Sequence, residues 1–147
     1  MTFINPIEIL GLQNYSVSDI ESSMIKKAKR KLFANIDLSD NGLLNYKGIN
    51  LTKTDCETAI DDLKNSNYMK FYSYLANNNQ SLNDFLLNGD ESFFLKTSQE
   101  SIYKLPEFVN FISPYFVSRF DKALLKSFME LLYRPCGRWA MGIIINN

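Results

Sequence analysis

Apolar residues change period several times along this chain, and each change marks an element. In "NPIEILGL", Ile7, Leu10 and Leu12 lie on one side of a short helix over 5–12. Asn5 suits its N-cap, Pro6 its first turn and Gly11 its stop. Ser16 or Ser18 caps a second helix, where Ser18 and Glu21 have the spacing of a capping box. Ile20, Met24, Ile25, Ala28, Leu32 and Phe33 then recur at helical spacing, and the pattern fades near Ile36 to Leu38, before "SDNG". In "LLNYKGINL" the period becomes two. Leu44 and Tyr46 alternate with polar residues, Lys47-Gly48 has the length of a hairpin turn, and Ile49 and Leu51 alternate on the return.

After residue 54 the period is helical again. Thr54 with Glu57 matches a capping box, and Cys56, Ala59, Ile60 and Leu63 form an apolar stripe. Met69, Tyr72 and Leu75-Ala76 share a side of the next segment. Ser81 with Asp84 reads as another box, opening a helix through Phe85, Leu86 and Leu87 that stops at Gly89. "ESFFLK" is too short to assign. Pro106 starts a helix carrying Phe108, Val109, Phe111 and Ile112, and Ser113-Pro114 predicts a fresh start for a last helix over about 114–133. In the tail, Pro135 and Gly137 break the helix and "GIII" is apolar, which fits a docked terminal strand or a truncated reading frame alike.

The expected fold is therefore mainly α: a helical pair with a small inserted β-hairpin at about 43–51, packed on a C-terminal helical bundle. The first region covers 1–64 and the second 65–147, sharing one continuous core.

Composition narrows the functional classes. At 46% hydrophobic and 22% charged, with 11 Phe and 8 Tyr, the chain has enough apolar area for a packed core. Sixteen Lys+Arg balance sixteen Asp+Glu, so the net charge of +0 supplies no global field, and an electrostatic partner must read a local patch. The two cysteines, Cys56 and Cys136, have no neighbouring ligands and there is no histidine, which argues against zinc. Two reduced, buried thiols in a cytosol fit better than a disulfide. The N-terminus lacks the layout of a signal peptide and no apolar run is long enough to span a membrane, so a cytoplasmic protein is expected.

"NPIEILGL" followed by "IESSMIKKAKRKL" resembles the opening of a J-domain, the module that drives ATP hydrolysis in DnaK-class chaperones. The resemblance covers residues 5 to about 37; an aromatic usually occupies the place of Ile7. In that family the second helix turns its basic face to an acidic surface on the chaperone's ATPase domain. Carried over, the contacting residues are Lys26, Lys27, Arg30 and Lys31. The family's essential His-Pro-Asp tripeptide falls at 37–39, where this chain has Asp37-Leu38-Ser39. All three differ, so stimulation of an ATPase is not expected. The segment from Thr54 to Leu63 stands where the family has its third helix, with the hairpin inserted before it.

Taken apart from the family, "KKAKRK" is a solvated face, an acidic-protein contact or a nucleic-acid contact, and no aromatic interleaves it to favour single strands. No catalytic motif is present: no histidine base, Walker loop, GxGxxG or GxSxG. Asp61-Asp62 and Asp90-Glu91 read as solvated pairs, and Cys56 as core. Phe108, Phe111, Tyr115, Phe116 and Phe120 read as core, or as an apolar strip left for a partner. The function expected is a non-enzymatic protein-interaction or adaptor module without cofactor or metal, its partner a protein with an acidic surface. Nucleic acid bound by the basic helix 25–33 is the alternative.

Overall fold

The computed structural model describes residues 2–95 and 101–132. The order of elements is α1 (Pro6–Ile9), α2 (Ser22–Leu38), β1 (Leu44–Tyr46), β2 (Ile49–Leu51), α3 (Lys53–Asp61), α4 (Ser66–Asn78), α5 (Gln80–Asn88) and α6 (Pro106–Leu132), with short 3-10 turns between some of them. The protein is thus mostly helical with one antiparallel pair of strands. It divides into two compact units, Thr2–Asn83 and the described residues from Asp84 onward. The boundary expected after residue 64 falls inside the first unit.

In the first unit α1 packs on α3 and α4, and α2 packs on α3. Phe3, Ile7, Leu32, Ile36, Cys56, Ile60, Tyr72 and Leu75 are buried there. α1 is short because its sequence signals act close together. The Asn5 side chain accepts from the Ile7 N–H, Pro6 opens the helix, and Gly11 at φ +68° ends it. The hairpin forms as its pattern predicts, pairing Leu44 with Leu51 and Tyr46 with Ile49. Lys47 and Gly48 take φ of 49° and 85°, both left-handed, as a turn matching the strand twist demands.

Three helix starts differ from expectation. Ser16 Oγ donates to Asp19 Oδ2 at 2.6 Å, which closes a 3-10 turn over Val17–Asp19 in place of the Ser18–Glu21 box. Ile20 is then extended and buried, so α2 cannot begin before Ser22. α3 is capped by Thr52 with Asp55, not Thr54 with Glu57: Thr52 Oγ1 accepts from the Asp55 N–H at 3.1 Å and Asp55 Oδ2 from the Thr52 N–H at 2.8 Å. Both Thr-x-x-acid spacings exist, but β2 ends at Leu51 and the first one meets the turn. Asn79, not Ser81, caps α5, its Oδ1 accepting from the Leu82 N–H at 3.3 Å.

In the second unit an aromatic cluster gathers on the buried Phe85 ring and reaches the surface at Phe94 and Phe120. The Phe85 ring lies 5.6 Å from Phe93, 5.0 Å from Phe94 and 5.3 Å from Phe116, and Phe116 stacks on Phe120 at 6.1 Å. Phe108 and Phe111 are buried, whereas Phe120 is 41% exposed. Arg119 donates from Nε to the Leu86 carbonyl at 3.2 Å and from Nη2 to the Leu87 carbonyl at 2.5 Å, completing acceptors at the C-terminal end of α5. The break expected at Ser113-Pro114 is absent and α6 runs through it. Ser113 Oγ turns back to the Val109 carbonyl instead of capping a new helix, and Pro114 is accommodated within α6. The expected terminal strand and Cys136 lie outside the described residues.

Candidate functional site

The cations of α2 divide into two kinds. Lys29 is tied down: its Nζ lies 2.8 Å from Glu57 Oε1 on α3 and 5.3 Å above the Phe33 ring. Lys26, Lys27, Arg30 and Lys31 are all exposed, and among the described residues none forms an ion pair. Leu32 and Ile36 are buried on the opposite side, while Ile25 and Ala28 are half-buried. A helix of this pattern must turn its lysines outward, because burying an unpaired ammonium costs far more than burying a methylene repays.

A cleft of about 430 Å³ opens beside this face, between α2 and the α3–α4 corner. Ile25, Ile60, Leu63 and Met69 supply its apolar walls, and Lys26, Lys29 and Lys64 reach its rim. Lys64 pairs with Asp61 at 3.0 Å, an exposed contact of little strength. The four expected contact residues do not all meet here. At about 100° per residue, Lys26 borders the cleft and Arg30 lies roughly 40° further round, while Lys27 and Lys31 lie roughly 100° and 140° from Lys26. The cleft was missed in the sequence because it joins α2 to residues 60–69, and only the Ile60–Leu63 stripe with Lys64 beside it gave any signal.

At the end of α2, Asp37 is held in an ion pair and Ser39 caps the helix. Lys53 Nζ sits 3.0 Å from both Asp37 oxygens, and Ser39 Oγ donates to the Ile36 carbonyl at 2.7 Å. Leu38 is left 84% exposed.

A second polar constellation is internal. Glu8 accepts from the Tyr46 hydroxyl, from Lys47 Nζ at 3.1 Å, from Gln80 Nε2 at 3.1 Å and from Asn83 Nδ2 at 3.1 Å. Burial, reinforced by the Glu8 carboxylate, raises the Tyr46 hydroxyl well above its usual 10.0. Asn5 Nδ2 donates to Asn83 Oδ1 at 2.8 Å and to the Tyr72 carbonyl at 2.9 Å, with both asparagines fully buried. Every group is partnered by another, so this network ties α1, the hairpin and residues 72–83 together and leaves no polar atom aimed at a ligand. Asp61 pairs with Lys64, whereas Asp62 accepts from the Tyr72 hydroxyl at 2.8 Å. Cys56 is buried and its thiol is pushed up by burial, with the Asp55 charge adding to the shift.

Among the described residues no three His, Cys, Asp or Glu side chains converge as a metal site, and no helix is long and apolar enough to cross a membrane. No protein-family model matches the chain, and no curated protein or solved structure is detectably similar to it.

Proposed function

We propose that the protein is a non-enzymatic interaction module, J-like in its first two helices, that offers the basic face of α2 to an acidic surface on a partner protein. The observation that supports this is the exposure of Lys26, Lys27, Arg30 and Lys31 without ion pairs among the described residues, next to Lys29 and Lys53, which are paired. Four cations within two helical turns form a local positive patch that the chain's overall neutrality does not cancel at short range. Asp37, Leu38 and Ser39 supply no imidazole and no proline ring; Asp37 is engaged by Lys53 and Ser39 by the end of α2. The module therefore binds without stimulating a DnaK-class ATPase. A cytoplasmic site of action accords with this reading.

The alternative is nucleic-acid binding by helix 25–33. The patch is short for tracking a phosphate backbone and has no stacking aromatic on its exposed face, which favours the protein partner. Charge reversal of Lys26, Lys27, Arg30 and Lys31 to Glu should leave the thermal transition in place, as surface changes usually do, and remove capture of the native partner. A gel shift with single- and double-stranded oligonucleotides should show no complex at physiological salt. Single-turnover ATPase assays with a DnaK-class chaperone should show no acceleration. Clear stimulation lost on Lys27→Glu, or a fourfold reversal that still binds the partner unchanged, would overturn the proposal.

A further inference from the structure

The cleft beside α2 has a composition that the basic face alone does not explain. Its walls are apolar and its rim carries three cations against one carboxylate: Ile25, Ile60, Leu63 and Met69 line it, with Lys26, Lys29, Lys64 and Asp61 around the mouth. Ile60 and Leu63 are buried at its base, and Ile25 and Met69 are half-exposed. A volume of about 430 Å³ exceeds what one large aliphatic side chain fills. Methionine at the wall lets such a site adjust its shape to more than one guest. We propose that this cleft receives an apolar side chain carried on an acidic peptide segment of the partner protein. The inference rests on the acidic-partner reading of α2 and adds to it the residue that anchors the partner.

Charge complementarity selects the occupant. Lys26 is unpaired among the described residues, Lys64 holds Asp61 in an exposed ion pair that an incoming carboxylate can exchange with at little cost, and Lys29 stays paired with Glu57 while adding its charge to the rim. The cations continue away from the cleft through Arg30 to Lys27, so a ligand that uses them must be extended and must carry several negative charges. A fatty acid has a single carboxylate. A nucleic acid has the charges, but its bases bind by stacking, and among the described residues no aromatic side chain lines the cleft. An acidic peptide with a leucine or similar residue satisfies both parts: the apolar group is desolvated against Ile60 and Leu63, and its flanking carboxylates lie along α2. Anchors of this kind, set in a pocket and ringed by charge, concentrate the binding energy of an interface.

The test uses the full chain and two short fluorescein-labelled peptides of Glu and Asp. One carries two leucines a helical turn apart, and its twin has serine in their place. In fluorescence anisotropy the leucine peptide should bind about tenfold or more tightly than its twin, the effect expected from burying one such side chain. Ser22→Trp places a large ring at the mouth of the cleft while keeping every cation, and should reduce the leucine peptide to the affinity of its twin. Lys26→Glu should weaken both. Methionine methyl NMR on the unmodified protein gives a reading independent of any variant: the Met69 signal should shift with the leucine peptide and stay in place with its twin. Equal affinity for the two peptides with an unmoved Met69 signal would overturn the anchor while leaving the acidic-partner reading intact. Failure of both peptides to bind would overturn the two together. Displacement of the leucine peptide by dodecanoate or by a single-stranded oligonucleotide, acting through the cleft, would overturn the choice of occupant.

Discussion

Asn5 is the residue whose replacement separates a local role from a tertiary one. As an N-cap it accepts from the Ile7 N–H at 3.1 Å, and as a buried donor it reaches Asn83 Oδ1 at 2.8 Å and the Tyr72 carbonyl at 2.9 Å. Loss of a cap costs about 1 kcal/mol. Stranding the Asn83 oxygen, which is fully buried, adds about 1–3 kcal/mol. The Tyr72 carbonyl lies within α4, where a carbonyl already accepts one backbone bond, so its share is smaller. Asn5→Ala should therefore destabilise by about 2–4 kcal/mol. Urea unfolding followed by far-UV circular dichroism should show the midpoint of the first unit falling by about 2 M with an unchanged slope. Asn5→Asp is the sharper test. Aspartate caps helices as well as asparagine does, so a purely local role predicts no loss. In this structure its carboxylate has nothing to donate and faces Asn83 Oδ1, so it should destabilise at least as much as alanine. A neutral Asn5→Asp would refute the buried network.

Gly48→Val should cost about 1 kcal/mol or more, since φ is +85° and a Cβ there meets nothing within 4 Å, leaving backbone strain as the whole effect; a midpoint equal to that of the parent in denaturant would contradict the turn. Tyr46 carries a pH signature: its folded-state pKa is raised above 10.0, so its contribution is intact below pH 10.0 and is lost as pH rises beyond it. Alkaline titration of stability should accordingly fall above that point, and Tyr46→Phe should flatten the fall while lowering stability at neutral pH. Asp55 acts in the opposite sense. The Thr52 side chain and then the Thr52 backbone hold its carboxyl below 3.8, so its share is present above that value and fades as acid is added, and Asp55→Asn should reduce the acid dependence. Arg119→Met should loosen the last turn of α5, seen as faster hydrogen exchange near Gly89, because the Leu86 and Leu87 carbonyls lose a charged donor.

What the sequence determined by itself lies within one turn of the chain. The stop at Gly11, the turn at Lys47-Gly48, the stop at Gly89 and the apolar stripe of Cys56, Ala59, Ile60 and Leu63 were all legible, because dihedral sterics and neighbouring hydrogen bonds decide them. The outward face of α2 was legible for a related reason: lysines at those spacings have nowhere else to go. Tertiary structure decided the contests between near-equal local options. Thr52 and Thr54 both offered a capping box, and the exit from β2 chose Thr52; Ser113-Pro114 offered a new helix, and α6 continued through it. Such options differ by about 1 kcal/mol, while burying a single large apolar side chain brings about 1.5–3 kcal/mol, so packing overrides them. The bond between Asn5 and Asn83 joins residues 78 positions apart, and the cleft joins α2 to residues 60–69. No periodicity encodes such a meeting, because it exists only once the helices have packed and their facing side chains have displaced water.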